Sequence, residues 1–248
     1  DLTPGTAAAS ATGGGPTDCL FGKGVFGADF SKKYWGVYGR LSGGYPASGR
    51  SIILSRYLGT MEIYLIRHTP VAVGRSVCYG QLDVDLAPTF EEDYLPYREQ
   101  LPLDTFDRVY CSPLSRCRRL AAALGIETYT VEERLIELSF GDWEGTEWKA
   151  LPPEELNGWM ADFVRQAPPG GESFQALYDR FADFLTELGE SDAERVLLIA
   201  HAGIIRCAWS YLLDIPLVHL FRLPIGFGEI LQFELSPTPG RTRIIRKV

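Results

Sequence analysis

After residue 61, the pattern of hydrophobic and polar positions changes repeatedly along the chain and predicts strands that alternate with helices. Short runs of apolar and β-branched residues indicate strands, and a strand covered on both faces is apolar at every position. The run at 196–200 is of this kind and predicts a buried strand. The predicted strands are residues 62–66, 109–111, 128–131, 196–200 and Ile230–Leu235.

Helical spacing separates these strands. Apolar residues recur every three or four positions from Phe174 to Leu188, which is the pattern of a helix that packs one face against a core. The predicted helices are 113–124, 173–188 and 204–213. Strands alternating with helices predict an α/β fold, a three-layer α/β/α sandwich with a mostly parallel central sheet. In such sheets, ligands bind at the carboxyl ends of the strands.

Residues 1–60 lack these patterns. They hold 13 of the 26 glycines and no glutamate, and no helical or alternating apolar period runs through them. Met61 stands directly before a predicted strand, where an initiator methionine would be expected. We therefore expect residues 1–60 to be a glycine-rich extension of low structural content outside the natural protein, and residues 61–248 to form the domain. The alternative is a truncated piece of another domain, because residues 21–38 carry several aromatic side chains.

The net charge of −8 argues against nucleic acid or a membrane surface as the main partner, because both favour basic residues. The charge is uneven, since residues 1–60 carry +3 and the rest of the chain carries −11. The longest apolar run, 196–205, is shorter than the roughly 20 residues that span a bilayer. We therefore expect neither nucleic acid nor a membrane among the partners.

The five cysteines form no C-x-x-C motif and are odd in number. This usage favours free thiols in a reducing compartment, and we expect a cytoplasmic protein. None of the three histidines has a second ligand at metal spacing. We therefore expect neither a metal ion nor another cofactor.

Two histidines occupy equivalent positions, since His68 and His201 each directly follow a predicted strand. Arg67 adjoins the first of them. Arg116 lies in the first turn of the helix after a third strand, with Ser112 available as its cap, and a guanidinium at a helix N-terminus favours a phosphate. A lone histidine is more often structural than catalytic. Two imidazoles and two guanidiniums at neighbouring strand ends predict a site for a small anionic ligand.

The stretch RLIELSFGDWEG at 134–145 offers three candidate proton donors. Glu137 has apolar neighbours on both sides, and an apolar setting favours the protonated carboxyl group. Asp142 lies in a Gly-Asp turn and Glu144 stands beside a tryptophan, so both are interpreted as turn or surface residues. Glu137 is therefore the candidate acid.

Four segments together resemble one protein family. They are LIRHT at 65–69, SPLSRCRRLA at 112–121, RLIELSFGDWEG at 134–145 and AHAG at 200–203. In this order they resemble the histidine phosphatase superfamily, the phosphoglycerate-mutase-like group. The similarity covers roughly residues 61–235 and does not extend to residues 1–60.

The resemblance implies a phosphoglycerate-mutase-like fold and a role for each matching residue. His68 would be the nucleophile that accepts the phosphoryl group, Arg67, Arg116 and His201 would bind its oxygens, and Glu137 would be the general acid. No metal is required in this arrangement, because guanidiniums stabilise the charge on the phosphoryl oxygens. We also expect three further residues to contact the substrate: Thr69, Ala202 and Gly203.

The residues after His68 are Thr69 and Pro70, whereas much of the family reads Arg-His-Gly-Glu at this place. Arg-His-Thr, together with VCYGQLDVDLA at 77–87, resembles the branch that contains α-ribazole phosphatases. These enzymes remove the phosphate from α-ribazole 5′-phosphate in cobalamin biosynthesis, and the resemblance implies this substrate. The alternative for the second segment is an ordinary loop and turn with solvated aspartates.

Other functions remain as alternatives. A cysteine phosphatase is disfavoured, because the spacing from Cys111 to Arg116 is one residue too short for its phosphate loop. The enzyme alternatives are a broad-specificity sugar-phosphate phosphatase and a phosphoglycerate mutase with 149–169 as its lid. The third alternative is a non-catalytic module that binds phosphorylated ligands. We expect a monomer or homodimer that hydrolyses a small phosphorylated metabolite.

Overall fold

The computed structural model of the protein describes residues 60–236 and 242–247. The strands are β1 (Met61–Arg67), β2 (Arg108–Cys111), β3 (Thr130–Val131), β4 (Arg195–Ala200), β5 (Ile230–Leu235) and β6 (Arg243–Lys247). The α-helices are α1 (Phe90–Asp93), α2 (Leu95–Gln100), α3 (Ser115–Ala123), α4 (Pro153–Ala161), α5 (Phe174–Gly189) and α6 (Ala202–Leu213). Short 3₁₀ helices cover Leu103–Thr105, Glu133–Leu135, Gly141–Trp143, Trp148–Ala150 and Leu217–Arg222.

The strands form one sheet in the order β3-β2-β4-β1-β5-β6. β1, β2, β3 and β4 pair in parallel, whereas β5 runs antiparallel to both of its neighbours, β1 and β6. The prediction of a mostly parallel central sheet is confirmed. The reversal at β5 has a consequence for the site, because the loop before β5 reaches the same edge as the carboxyl ends of the parallel strands.

Both faces of the sheet are buried by helices. Successive residues of a strand point to opposite faces, and β1 follows this rule. Ile63 and Leu65 pack in the core formed with α5 and α6, whereas Tyr64 and Ile66 pack in the core formed with α2 and α3. The predicted three-layer α/β/α sandwich is therefore confirmed.

The predicted elements are present with shifted ends. The helix predicted over 113–124 begins at Ser115, because Leu114 is extended and the carboxylate of Asp83 accepts hydrogen bonds from the Ser115 backbone N–H and hydroxyl. The helix predicted over 204–213 begins at Ala202, directly after the strand-end histidine. The strand predicted over 128–131 keeps only its last two residues.

The apolar patterns do not predict α1, α2, α4 or β6. The first two are short, and α2 has a proline in its first turn. α4 lies within the predicted lid, 149–169, and its Trp159 is buried against the rings of Phe140 and Trp143 at centroid distances of 5.9 and 5.7 Å. That a lid closes here stays a prediction. The expectation for residues 1–60 lies outside the described residues, apart from residue 60.

Within the described residues, a helix with the length and apolar character needed to cross a membrane is not found.

Candidate active site

Three neighbouring strands, β2, β4 and β1, end at one edge of the sheet. Ser112 directly follows β2, His201 follows β4 and His68 follows β1. Because parallel strands point the same way, their carboxyl ends bring these residues together. The rings of the two histidines lie 5.2 Å apart between centroids. Both predicted histidines are thus at one site.

The His68 imidazole is buried and has a defined tautomer. Its Nδ1 lies 2.7 Å from the backbone oxygen of Thr69, and because a carbonyl oxygen only accepts, Nδ1 carries the proton. Burial, and then the charges of Arg116 and Arg67, hold the pKa of His68 well below its usual value. The ring is therefore neutral at pH 7, and its Nε2 has a free lone pair.

His201 is fully buried beside it. Its Nε2 lies 2.7 Å from the hydroxyl oxygen of Ser112 and 3.5 Å from the thiol sulfur of Cys117. Burial, and then the charge of Arg116, hold the pKa of His201 well below its usual value. The expectation that Ser112 caps the following helix is wrong, because its hydroxyl orients His201 and Asp83 bonds the first turn instead.

Arg67 is buried at the end of β1 and is held by the loop before β5. Its Nη1 donates to the carbonyl oxygen of Ile225 at 2.6 Å. The guanidinium carbon lies 3.9 Å from the centre of the Phe227 ring, a close cation–π contact. The same ring meets His68 edge-on at a centroid distance of 5.7 Å. Phe227 is therefore part of the site, although the sequence patterns do not indicate it.

Arg116 is fully buried in the first turn of α3. Its two terminal nitrogens donate to the backbone carbonyls of Gly80 and Leu82, within the segment 77–87. Its Nε has no hydrogen-bond partner among the described residues. Carbonyl oxygens orient a guanidinium without cancelling its charge, so Arg116 contributes a positive field to both histidines.

The carboxylate of Glu137 faces backbone donors. Its two oxygens accept the N–H groups of Leu138 at 2.9 Å and Gly203 at 3.2 Å. The expectation of an apolar setting is therefore wrong for the carboxylate itself, although its neighbours in sequence are apolar. The backbone oxygen of Glu137 accepts bonds from Gln81 and Arg180, both at 3.0 Å. These contacts fix the segment that carries the carboxylate.

Gly203 lies against Glu137 in the first turn of α6. A Cβ atom at this position would stand 2.2 Å from the Glu137 Oε1, closer than real Cβ contacts come. The absence of a side chain therefore lets the helix N-terminus approach the carboxylate.

Glu144 lies in a turn, one of the two places that the sequence allows for it, but it is not at the surface. It is half-buried, and its carboxylate accepts the backbone N–H groups of Gln81, Leu82 and Phe140. It therefore ties the segment around Gly80 to the segment that follows Glu137. Asp142, in contrast, is exposed as expected.

A pocket opens beside His68. Of the predicted residues, Arg67, His68, Glu137, Ala202 and Gly203 line it, whereas Thr69, Arg116 and His201 are buried behind this surface. The side chain of Thr69 does not line the pocket, and the contact of this residue with the site is its carbonyl group. The rest of the wall is largely apolar and aromatic, with one further cation: Tyr79, Leu138, Phe140, Trp148, Phe174, Phe221 and Arg206.

Sequence reasoning misses Arg206, Phe227 and the aromatic wall. Arg206 lies one turn after Gly203 on α6, in the motif AHAGIIR, so its helical spacing was a signal for a residue on the same face. Phe227 had no such signal, because only the antiparallel course of β5 brings its loop to this edge. Among the described residues, no group of three or more metal-ligand side chains is arranged to hold an ion.

The sequence and the fold of this chain are similar to those of known proteins. The family model of the histidine phosphatase superfamily (branch 1) matches residues 63–246. The match includes all four motifs and confirms the resemblance that they indicate. The crystal structure of the alpha-ribazole phosphatase from Shigella flexneri superposes with a TM-score of 0.67 at 23% identity, covering 75% of this chain and 95% of that chain. This likeness confirms the phosphoglycerate-mutase-like fold.

Three curated relatives carry different substrate names. The adenosylcobalamin/alpha-ribazole phosphatase of Salmonella typhimurium is 32% identical over 131 residues, 50% of this chain and 64% of that protein, so the match spans less than two thirds of it. The glucosyl-3-phosphoglycerate phosphatase of Mycolicibacterium vanbaalenii is 33% identical over 178 residues, 66% of this chain and 77% of that protein. Phosphoserine phosphatase 1 of Hydrogenobacter thermophilus is 28% identical over 168 residues, 63% of this chain and 78% of that protein. The names agree on a phosphatase and differ on the substrate.

Proposed function

Because this chain belongs to the histidine phosphatase superfamily, we propose that it hydrolyses phosphomonoesters through a phosphohistidine on His68. The observation that carries the proposal is the tautomer of this residue. Its Nδ1 is bonded to the Thr69 carbonyl, which leaves the Nε2 lone pair of a neutral, buried imidazole beside the pocket. A neutral imidazole is a nucleophile, whereas a protonated one is not.

Two steps complete the reaction. In the first, His68 Nε2 attacks phosphorus in line, the ester P–O bond breaks, and Glu137, which must enter this step in its protonated form, gives its proton to the leaving oxygen. In the second, water attacks phosphorus, Glu137 takes a proton from that water, and the P–N bond breaks to release phosphate. Arg67, Arg116 and His201 stabilise the charge on the equatorial oxygens in both steps. No step requires a metal ion.

For the substrate, we propose α-ribazole 5′-phosphate, whose leaving group carries a flat aromatic base. Two observations support it: the Arg-His-Thr sequence at 67–69 and the aromatic wall of the pocket, where rings from several segments can pack against a planar apolar group. A role in cobalamin biosynthesis follows from this substrate and stays a prediction. The cytoplasmic location inferred from the cysteines and the monomer or homodimer also stay predictions.

Arg206 favours a second candidate. It is a buried cation in the pocket wall, and its Nε and Nη2 donate to the carbonyl oxygens of Leu220 and Leu223 at 3.2 Å. A cation here suits a leaving group with its own carboxylate, as in phosphoserine or glucosyl-3-phosphoglycerate. The alternative is therefore a phosphatase for a phosphorylated carboxylic acid.

Phosphate release in EDTA tests the substrate. The assay compares α-ribazole 5′-phosphate with phosphoserine, glucosyl-3-phosphoglycerate, 3-phosphoglycerate and p-nitrophenyl phosphate. We expect kcat/KM for α-ribazole 5′-phosphate to exceed the others by about a hundredfold, or about 2.7 kcal/mol of transition-state discrimination. Preference for a carboxylated substrate would select the second candidate, and isomerisation of 3-phosphoglycerate without phosphate release would indicate a mutase.

Leaving-group dependence tests the acid. Glu137→Gln should slow alkyl phosphates far more than p-nitrophenyl phosphate, because nitrophenolate leaves without a proton. Equal slowing of both substrates would show that Glu137 is not the acid. Rapid quenching with ³²P-labelled substrate should trap base-stable, acid-labile label on the wild-type protein and none on His68→Ala.

A further inference from the structure

The hydroxyl group of Tyr97 joins the end of β1 to the loop before β5. It donates to the carbonyl oxygen of Arg67 at 2.6 Å and accepts the N–H of Gly228 at 2.8 Å. A carbonyl oxygen only accepts and a backbone N–H only donates, so both bonds have a fixed direction and need a hydroxyl group between them. A phenylalanine would fill the same space and lose both bonds.

Tyr97 is well placed to keep this link rigid. It lies on α2, fully buried in the core between the sheet and α3. Burial raises its pKa, so the hydroxyl stays protonated and remains a donor at neutral pH. Gly228 adopts a φ of +83°, a conformation that favours glycine and turns the loop back toward β5.

The loop 225–228 in turn holds the guanidinium of Arg67. Ile225 supplies a carbonyl acceptor to one end of the group at 2.6 Å, and Phe227 supplies an aromatic face at 3.9 Å. An arginine side chain has several rotatable bonds, and these two contacts, from opposite ends of a short loop, fix where its remaining donors point. The tyrosine hydroxyl therefore bonds both the backbone of Arg67 and the loop that orients its side chain.

We propose that Tyr97 is a positioning residue that holds the Arg67 guanidinium, through the loop 225–228, in the orientation that binds the transferred phosphoryl group. The inference rests on the proposed function of the same site. It names a residue that does not line the pocket and that acts on the reaction only through Arg67. Small misplacements of such a group are costly, because charge stabilisation in the transition state depends on fixed geometry.

Tyr64 provides a matched control. It is also a buried tyrosine of the same core, and its hydroxyl also joins β1 to β5, through a bond from Gln232 at 2.9 Å. Its partners lie nearer the opposite edge of the sheet, away from Arg67. Tyr64→Phe and Tyr97→Phe therefore remove comparable hydroxyl groups, but only Tyr97→Phe removes hydrogen bonds to Arg67 and to the loop 225–228.

The experiment measures steady-state kinetics with p-nitrophenyl phosphate and inhibition by orthovanadate, on the full chain. Tyr97→Phe should lower kcat/KM about tenfold and weaken vanadate binding by a similar factor, because vanadate adopts the trigonal bipyramid of the transferred group. Tyr64→Phe should change both quantities less than twofold. Thermal unfolding of the two variants checks that each is folded at the assay temperature.

A double-mutant cycle separates positioning from general stability. If Tyr97 acts through the loop, the double variant Tyr97→Phe/Phe227→Leu should be no slower than Phe227→Leu alone. If the two substitutions lower kcat/KM independently, so that the loss in the double variant is the product of the two single losses, the proposal is overturned. Equal effects of Tyr97→Phe and Tyr64→Phe on kcat/KM would also overturn it. If Tyr97→Phe does not fold, the half-buried Phe227 remains testable, and vanadate binding unchanged in Phe227→Leu would overturn the proposal.

Failure of the proposed function would look different. A fully active His68→Ala would refute the phosphohistidine intermediate. The positioning role of Tyr97 would then be tested by the affinity of the protein for inorganic phosphate, measured by calorimetry. That affinity should fall at least fivefold in Tyr97→Phe and stay within twofold in Tyr64→Phe. Unchanged phosphate affinity in Tyr97→Phe would overturn the inference on its own.

Discussion

At the amino ends of β2 and β4, Arg108 and Arg195 lie partly exposed beside the carboxylates of Asp192 and Glu62. At the opposite edge of the same sheet, Arg116 is fully buried, and its two terminal nitrogens donate to backbone carbonyls. Arg67 is buried at the same edge, and its Nη1 donates to the carbonyl oxygen of Ile225. The residue type is the same at both edges. What differs is the partner: a carboxylate offsets the charge of Arg108 and of Arg195, whereas the carbonyl oxygens that hold Arg116 only orient it.

This difference supports the proposal that one edge binds an anion. An exposed ion pair is neutral as a unit, is screened by solvent and contributes little to stability. A guanidinium held by carbonyl oxygens keeps its full charge, and burial strengthens the field that it exerts. The lowered pKa values of His68 and His201 are the visible effect of burial and of this field.

Removal of the proposed nucleophile gives the largest expected effect. His68→Ala should lower kcat about a thousandfold or more, because the covalent step has no substitute group. His219→Ala is the matched control, since this exposed histidine lies in a 3₁₀ turn outside the pocket and should leave kcat unchanged. Steady-state kinetics measures kcat of both variants. Comparable losses of kcat in His68→Ala and His219→Ala would contradict a specific role for His68.

Exchange of arginine for glutamine tests the two edges directly. Arg116→Gln should lower kcat/KM about a hundredfold, because it removes a buried charge from the proposed phosphoryl site. Arg108→Gln removes an exposed, paired charge and should change kcat/KM less than twofold and the free energy of unfolding by less than about 1 kcal/mol. Steady-state kinetics measures kcat/KM of both variants, and denaturant unfolding measures their stability. Equal losses of kcat/KM in Arg116→Gln and Arg108→Gln would contradict the prediction.

A single methyl group tests how closely α6 approaches the acid. Gly203→Ala should lower kcat/KM about tenfold, because the new Cβ would stand 2.2 Å from the Glu137 carboxylate and displace it. Gly158→Ala is its control, since a Cβ at this helical position in α4 meets no atom within 4 Å. Wild-type kinetics in Gly203→Ala would show that the carboxylate position is not critical.

The smallest expected effect is a pH dependence of stability. His68 and His201 have folded pKa values well below 6.5, so the unfolded chain binds their protons first as the pH falls. Stability is therefore full above pH 6.5 and is lost progressively as the pH falls below it. Asp107 at the amino edge has a lowered pKa and loses its contribution only at more acidic pH.

Denaturant unfolding at pH 7 and pH 5 measures this loss. His68→Gln should lose less stability than the wild type over the same interval, because one of the two titrating groups is gone. An equal loss in both proteins would assign the effect to groups outside the site.

Much of the site follows from local sequence. An apolar run that ends in Arg-His or Ala-His predicts a buried strand and places the polar residues at its carboxyl end, and His68, Arg67 and His201 lie there as expected. Local patterns suffice here because each residue is positioned by the element to which it belongs.

Partners that are distant in sequence could not be predicted in this way. The sequence did not indicate the partners of Ser112 and Glu144, because these partners belong to other segments, the His201 ring and the backbone around Gln81. The helix α2 has no apolar period of its own, so nothing in its sequence indicated that Tyr97 would reach Arg67.

The amino-acid sequence by itself determined the alternation of strands and helices, the strand-end histidines and arginines, and the family to which they belong. Tertiary structure decided that the partners of Arg116 are carbonyl oxygens, where the Glu137 carboxylate points and that the loop of Phe227 completes the site. The physical reason is that periodicity and motifs describe a residue's own element. Burial, hydrogen-bond partners and the antiparallel course of β5 arise only when distant segments pack together.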